Sequence, residues 1–551
     1  MSSSATAVHD ATLFQEAATR RTLAIISHPD AGKTTLTEKF LLYAGAVQEA
    51  GAVRSRKQAR KATSDWMRLE QERGISISST VLHFAFAGRN FNLLDTPGHA
   101  DFSEDTYRTL CAADAAIMVL DAAKGLEPQT LKLFEVCRAR GLPIVTFVNK
   151  CDRPGLPPLA LLDQIAERIG MEPVPLTWPV ADGLDFAGIV DRGAGELVRF
   201  DRAAHGSRIA DEQRVPLDKA DPDDDLPNPC PPDRWKAAME ELELLDLEEH
   251  SLDRDAFLNG RQTPVFFGSA LANFGVRLLL EGFAELAPPP GPQTVDGTNN
   301  GQASPERRPI DAPFSALVFK VQANMDPRHR DRIAFMRVNS GRFSRGMSAT
   351  LARTGRSLTL KYAHQLFARD REVVEEALPG DIVGVVNATG LLVGDTLYQG
   401  PPVRFPPIPT FTPERFATVR NRDTSRYKQF RAGLAQLDEE GVVHVLRRPE
   451  FGEQEPLFAG VGQLQFEVAH HRMVHEFGCQ IALEPANWQL ARRIDAADAA
   501  RVRGQRGTLL VEDSKGQTLV LFASDYALQW ASEDLPDVVF HELGLARRDR
   551  A

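Results

Sequence analysis

Ser27-His28-Pro29-Asp30-Ala31-Gly32-Lys33-Thr34-Thr35 joins a glycine, a lysine and paired hydroxyls between an apolar run and a helix-like one. Those types at that spacing suit a phosphate-binding loop. Gly32 lets backbone amides approach phosphates, Lys33 reaches the terminal phosphates, and the Thr34 hydroxyl can ligate Mg²⁺. The helix that follows adds partial positive charge at its N-terminus. The first loop position holds Ser27 where the strict pattern has glycine. Asp95-Thr96-Pro97-Gly98 closes a second apolar run. An aspartate there can hold Mg²⁺ through water while the Gly98 amide meets a γ-phosphate. Asn149-Lys150-Cys151-Asp152 ends a third run. The Asp152 carboxylate can accept two hydrogen bonds from guanine N1–H and the 2-amino group, a pair adenine lacks. Asn149 can bond the base edge or tie its loop to the phosphate loop, and the Lys150 stem can lie over the ring. Ser269-Ala270-Leu271, after one more apolar run, would offer a backbone amide to the base oxygen.

Four such loops make one site only if they stand at the carboxyl ends of neighbouring strands. The chain supplies the elements. RTLAIIS (21–27), AAIMVLD (115–121), LPIVTFVNK (142–150) and PVFFGSA (264–270) read as buried strands, and 81–95 reads as two strands around a Gly88 turn. TTLTEKFLLYA (34–44) has helical spacing. Strands alternating with helices predict a mostly parallel sheet covered on both faces, an α/β GTP-binding domain over 21–287. The gap from Asp152 to Ser269 exceeds what such a domain needs and marks an insertion at about 176–262. It holds DPDDD (221–225) and the acidic helix-like run 235–250. Residues 288–309, rich in proline, glycine and polar side chains, read as a linker. Short alternating strands with frequent glycine predict a small β-barrel over 310–403. Residues 401–413 read as a second linker, and mixed helices and strands predict an α+β domain over 414–535. The fold class is multidomain: α/β, then β, then α+β.

Composition bounds the class. With 551 residues, 43% apolar and 25% charged, the chain is long enough for about three or four globular domains. Its net charge of −11 argues against a generic nucleic-acid coat. Locally the sign reverses. Basic residues crowd 54–61, 328–361 and 415–431, clusters that could neutralise RNA phosphates. Five scattered cysteines, Cys111, Cys137, Cys151, Cys230 and Cys479, form no CxxC pair and point to a reducing cytoplasm. No window nears 18 uninterrupted apolar residues, and the N-terminus lacks a secretory pattern, so no membrane span is expected.

Longer strings carry a resemblance. Glu72-Arg-Gly-Ile-Ser-Ile77 resembles the switch I motif of translational GTPases, and DTPGHADFSEDTYRTL (95–110) resembles their switch II. QANMDPRHRDRIAFMRVNSG (322–341), with SHPDAGKTTLTEKFLL and PVFFGSALANFGV, closely resembles the bacterial release factor 3 family, from about Arg21 to about Asp537. Elongation factor G resembles the first domain but has two further C-terminal domains, for which this chain looks too short. The resemblance implies Ser76 at a switch I Mg²⁺ position where most relatives have threonine, and His99 as the catalytic residue that orients the attacking water. It also implies GTP, GDP and Mg²⁺ as ligands, and a cytoplasmic protein that is monomeric off the ribosome. Ribosomal RNA and proteins and class I release factors are its implied partners, with no membrane or DNA. The activity implied is ribosome-stimulated GTP hydrolysis that ejects class I release factors after peptide release. Another ribosomal GTPase of protection or elongation type, or a non-hydrolysing GTP-binding module, stands as the alternative.

Overall fold

The computed structural model describes residues 12–45, 70, 76–200, 209, 211–221, 230–247, 251–299, 302–323, 332–367, 370–386, 390–408, 411–449 and 452–543. Residues 54–61, the switch I residues 72–75 and most of DPDDD therefore lie outside the described residues.

The first unit is a seven-stranded sheet in the order β2-β3-β1-β4-β5-β11-β6. Its strands are β1 (Arg20–Ser27), β2 (Thr80–Phe86), β3 (Arg89–Asp95), β4 (Ala115–Asp121), β5 (Ile144–Asn149), β6 (Glu172–Pro175) and β11 (Gln262–Phe267). Only β2 runs antiparallel; it turns into β3 through Ala87 and Gly88, both at positive φ. Every residue of β4 and β5 is buried. The continuous apolar runs follow from this, since helices cover both faces. Those helices are α1 (Lys33–Tyr43), α2 (Ser103–Leu110), α3 (Pro128–Ala139) and α4 (Pro158–Ile169), with α5 (Pro232–Leu247) and α6 (Arg254–Leu258) inside the insertion and α7 (Val276–Leu286) following it.

The insertion has its own architecture. Strands β7 (Thr177–Val180), β8 (Gly188–Asp191), β9 (Glu196–Phe200) and β10 (Glu212–Pro216) form an antiparallel four-stranded sheet. Trp178 seats it: fully buried, it meets Phe267 edge-on at 5.3 Å, and its indole N–H donates to Glu241 of α5 at 3.1 Å. Residues 235–247 of the acidic run thus lie in a helix braced on this sheet.

The 288–309 stretch differs from the expected linker. It contains a hairpin, β12 (Gln293–Asn299) paired with β13 (Gln302–Arg308). Val295 is buried with Leu317, Val403 and Phe405, and the Asp296 amide donates to the Arg404 carbonyl at 2.8 Å. Each connecting stretch gives the other a partner, which composition alone does not reveal.

The second unit is all antiparallel: an eight-stranded sheet that includes β14 (Ser315–Ala323), β15 (Arg332–Ser340) and β16 (Ile382–Val386), with a small two-stranded sheet beside it. The third sets a mixed-order antiparallel sheet, including β17 (Arg415–Asn421), β18 (His444–Arg448) and β19 (Gly452–Gly460), against α8 (Tyr427–Glu440) and α9 (Gln463–His475). Phe430, Leu437, Phe458, Phe466 and Met473 fill that core.

Many residues of the basic runs are paired with carboxylates. Within 328–361, Arg332 pairs with Glu439, Arg337 with Asp114, Arg342 with Glu16 and Glu376, Arg345 with Glu375 and Arg353 with Asp395. The pairs of Arg332, Arg337 and Arg342 with Glu439, Asp114 and Glu16 hold the barrel to its neighbours, while Arg345 and Arg353 pair within it. The six basic residues of 415–431 stay largely outward, Arg420 and Arg426 being about half exposed.

Candidate nucleotide site

Four strand ends converge. After β1, Asp30 (φ 66°) and Gly32 (φ 100°) adopt left-handed backbone, and α1 begins at Lys33 with no side chain capping its first amides. Uncapped N–H groups at a helix start suit an anion. His28 pairs with Glu127 at 3.2 Å, and the Ser27 hydroxyl donates to the His28 carbonyl at 2.9 Å. Where a glycine would leave the first loop position open, Ser27 satisfies itself locally.

Lys33 is buried with its Nζ 3.2 Å from Asp95 Oδ1. The second carboxylate oxygen, Oδ2, is buried with no hydrogen-bond partner. The Thr34 and Ser76 hydroxyls lie 3.2 Å apart. Two hydroxyls and one orphaned carboxylate oxygen are a hard-oxygen donor set, and they fit Mg²⁺. Buried Glu70, which sequence reasoning missed, accepts the Ile77 and Ser78 amides at 3.0 Å and so anchors Ser76. At the end of β3, the Thr96 hydroxyl donates to the Ile25 carbonyl at 2.6 Å, and the Pro97 carbonyl accepts from Thr106 at 3.2 Å. A Cβ on Gly98 would sit 3.3 Å from Pro29 Cα, so this turn lies directly against the phosphate loop. His99 follows, 40% exposed, and caps the turn Ala100–Phe102 by accepting the Asp101 amide at 3.2 Å.

Asn149 performs the tie. Its Nδ2 donates to the Ala31 carbonyl at 2.7 Å, and its Oδ1 accepts from the Lys150 and Ala270 amides at 2.9 and 2.8 Å. Lys150 sits at φ 73°, with its Nζ donating to Asp121 Oδ2 at 2.7 Å. Asp121 was also missed, though like Asp95 it ends an apolar strand. Burial would raise its pKa; the Lys150 hydrogen bond and the Ala123 amide outweigh that and lower it. Asp152 Oδ1 is buried and without a partner. In the last loop the Ser269 amide donates to the Phe274 carbonyl at 2.9 Å and Ser269 Oγ accepts the Ala272 amide at 3.2 Å; Leu271 is exposed. Cys151, inside the third motif, is buried, which pushes its thiol up to about 12.

A mostly parallel sheet that brings these four strand-end loops together has the architecture of a GTP-binding domain. The comparisons narrow the class. Residues 18–289 match the elongation factor Tu GTP binding domain, residues 313–400 match elongation factor G domain 2, and residues 405–532 match the class II release factor RF3, C-terminal domain. Peptide chain release factor 3 of Symbiobacterium thermophilum is 47% identical over 530 residues, 96% of this chain and 98% of that protein. Those of Microcystis aeruginosa and Gloeobacter violaceus are 48% and 47% identical, over 95% and 97% of this chain and 95% and 99% of theirs. The crystal structure of ttk003000868 from Thermus thermophilus superposes with a TM-score of 0.66 at 26% identity, covering 85% of this chain and 67% of that one. The chain belongs to the peptide chain release factor 3 family. It is a GTPase of translation termination. No helix among the described residues is long and apolar enough to cross a membrane.

Proposed function

We propose that the chain binds the ribosome in the cytoplasm after peptide release, promotes departure of a class I release factor, and leaves on hydrolysing GTP. One observation supports the residue assignments: Asp152 Oδ1 and Asp95 Oδ2, one oxygen from each of two motif carboxylates, are buried without a protein hydrogen-bond partner. An orphaned buried acceptor costs about 1–3 kcal/mol, which a ligand donor or cation at that point would recover.

In this reading Asp152 selects guanine, and Asn149 holds the phosphate loop, its own loop and the Ala270 loop in register. The Ser269 and Ala270 amides are already engaged, leaving the Leu271 amide for the base oxygen. Lys150, steadied by Asp121, lies along the ring. The loop from Ser27 to Thr35 cradles the phosphates, and Lys33 shifts from Asp95 toward them. Thr34, Ser76 and, through water, Asp95 would hold Mg²⁺, which supplies charge neutralisation at the phosphate oxygens. The Gly98 amide meets the γ-phosphate and His99 orients the attacking water. Positioning and charge supply the rate; alone, the chain hydrolyses GTP slowly.

The test is phosphate release by the full chain with post-termination ribosomes carrying a class I release factor. Stimulated hydrolysis with loss of the factor supports the reading. Hydrolysis with the factor retained would favour a different ribosomal role.

A further inference from the structure

The turn Ala100–Phe102 opens directly after His99, and the His99 ring caps it through Nδ1. A neutral imidazole has one acceptor nitrogen. With Nδ1 accepting from the Asp101 amide, that nitrogen is engaged within the turn and is not available to a water proton. The same Asp101 reaches into the third unit. Its Oδ2 accepts the amide of Leu464, the second residue of α9, at 2.7 Å, while Oδ1 stands 3.4 Å from His99 Nδ1. The approach is so close that a Cβ on Gly462 would lie 2.0 Å from the Asp101 carboxylate carbon. Apolar contacts reinforce it: Phe102, Ile77, Leu464 and Val468 form one buried cluster, and the His99 ring meets Phe102 edge-on at 6.3 Å.

We propose that Asp101 is a positioning residue through which the third unit restrains His99. Docking of α9 holds the 100–102 turn, and the turn keeps the acceptor nitrogen of His99 engaged. The carboxylate at a helix N-terminus is a charge-assisted contact favoured by the helix dipole. When α9 withdraws, the turn loses its Leu464 donor and its apolar cover, and His99 is released to accept from water. The inference rests on the reading of His99 as the water-orienting residue.

The experiment is single-turnover GTP hydrolysis by the full chain without ribosomes, alongside GTP and GDP affinities. Gly462 has φ −144°, extended backbone that alanine adopts, so Gly462→Ala folds with its methyl in the space of the Asp101 carboxylate. The intrinsic rate is expected to rise about tenfold, the weight of one charge-assisted hydrogen bond lost from the restrained state, with both affinities unchanged. Asp101→Ala gives the same rise, and Asp101→Asn, which keeps an acceptor oxygen, reverses most of it. In a His99→Ala background, Gly462→Ala adds nothing. An unchanged or lower rate in both Gly462→Ala and Asp101→Ala overturns the proposal, as does a rise that survives His99→Ala. Ribosome-stimulated hydrolysis by His99→Ala alone separates the two readings. If stimulation persists, the role of His99 fails; if it is lost while Gly462→Ala changes nothing, only the restraint fails.

Discussion

The side chain of Asn149 occupies the space that a β-carbon on Gly32 would need: the Asn149 amide nitrogen is 2.2 Å from where that carbon would stand. The contact explains two motif residues at once. Gly32 is required for its left-handed backbone and for the room it leaves, and Asn149 uses that room to reach the Ala31 carbonyl.

Gly32→Ala therefore meets two penalties. Its φ of 100° is strained for alanine, about 1–3 kcal/mol, and its methyl pushes Asn149 out of register. GTP and GDP affinity should both fall at least tenfold, roughly 1.4 kcal/mol, with a lower melting midpoint. Titration with a fluorescent GDP analogue measures it, and wild-type affinity would refute the account.

Asp152→Asn replaces an acceptor oxygen with an amide donor. Xanthine carries a 2-oxo group where guanine has its amino group, so preference should move from guanine to xanthine nucleotides. A competition assay reads the ratio directly. Retained guanine preference would remove Asp152 from base reading.

The strand-end loops were legible because each motif ends an apolar run, and short-range chemistry fixed what each side chain could do. Asn149 shows the limit: its residue type allowed base contact or loop tying, and only the fold chooses between them. Glu70, Lys320, His444 and Gly462 gave no signal. Their partners are ordinary residue types, mostly hundreds of positions away, as with Lys320 and Ser79 or His444 and Glu104. The insertion was located by a spacing surplus, but its four-stranded sheet was not, since β10 is largely exposed and lacks an apolar run.

Ser76 should be replaceable by threonine but not by alanine. Its hydroxyl lies 3.2 Å from that of Thr34, and threonine keeps the oxygen. Ser76→Ala should raise the Mg²⁺ concentration needed for half-maximal GTP hydrolysis by about tenfold, the scale of losing one supporting group at a metal site. Ser76→Thr should stay near wild type. A Mg²⁺ titration at saturating GTP compares them, and equal requirements for all three proteins would exclude Ser76 from the metal site.

The contact between α2 and the third unit should depend on pH. Glu104 is buried between Arg108 and His444, with His444 Nε2 at 3.0 Å. Burial would raise the Glu104 pKa, but the charges of Arg108 and His444 overcome it and bring it to about 2. Burial would lower the pKa of His444, but Glu104 overcomes that and raises it above 6.5. The stabilisation by His444 is thus complete below its unfolded pKa and is lost as pH rises through the higher folded one. That by Glu104 is present above about 4.5 and is lost as pH falls toward 2. Between about pH 6 and pH 8.5 the wild type should lose more thermal stability than His444→Gln, by roughly 2–4 °C per kcal/mol. Parallel curves for the two proteins would show that the pair does not titrate with folding.

Lys320 of β14 links the barrel to the end of switch I. Its ammonium donates to Ser78 Oγ at 2.7 Å, to the Ser79 carbonyl at 2.5 Å and to Ser79 Oγ at 2.9 Å, and stands 3.6 Å from Asp105. Burial lowers its pKa, against the opposing charges of Asp105 and Glu70. Asp105 in turn accepts the Ser79 amide at 2.6 Å, so one ammonium holds a segment lying just beyond Ser76. Lys320→Met keeps most of the apolar stem and removes every one of these donors, leaving a carbonyl and a carboxylate short of partners. A loss of about 2–4 kcal/mol follows from such an uncompensated site. Because the lost bonds cross between two units, the loss should fall on their docking more than on either core. Calorimetry should then resolve the barrel and the GTP-binding unit into separate transitions, with GTP affinity lowered alongside. A single transition at the wild-type temperature would show that Lys320 does not couple them.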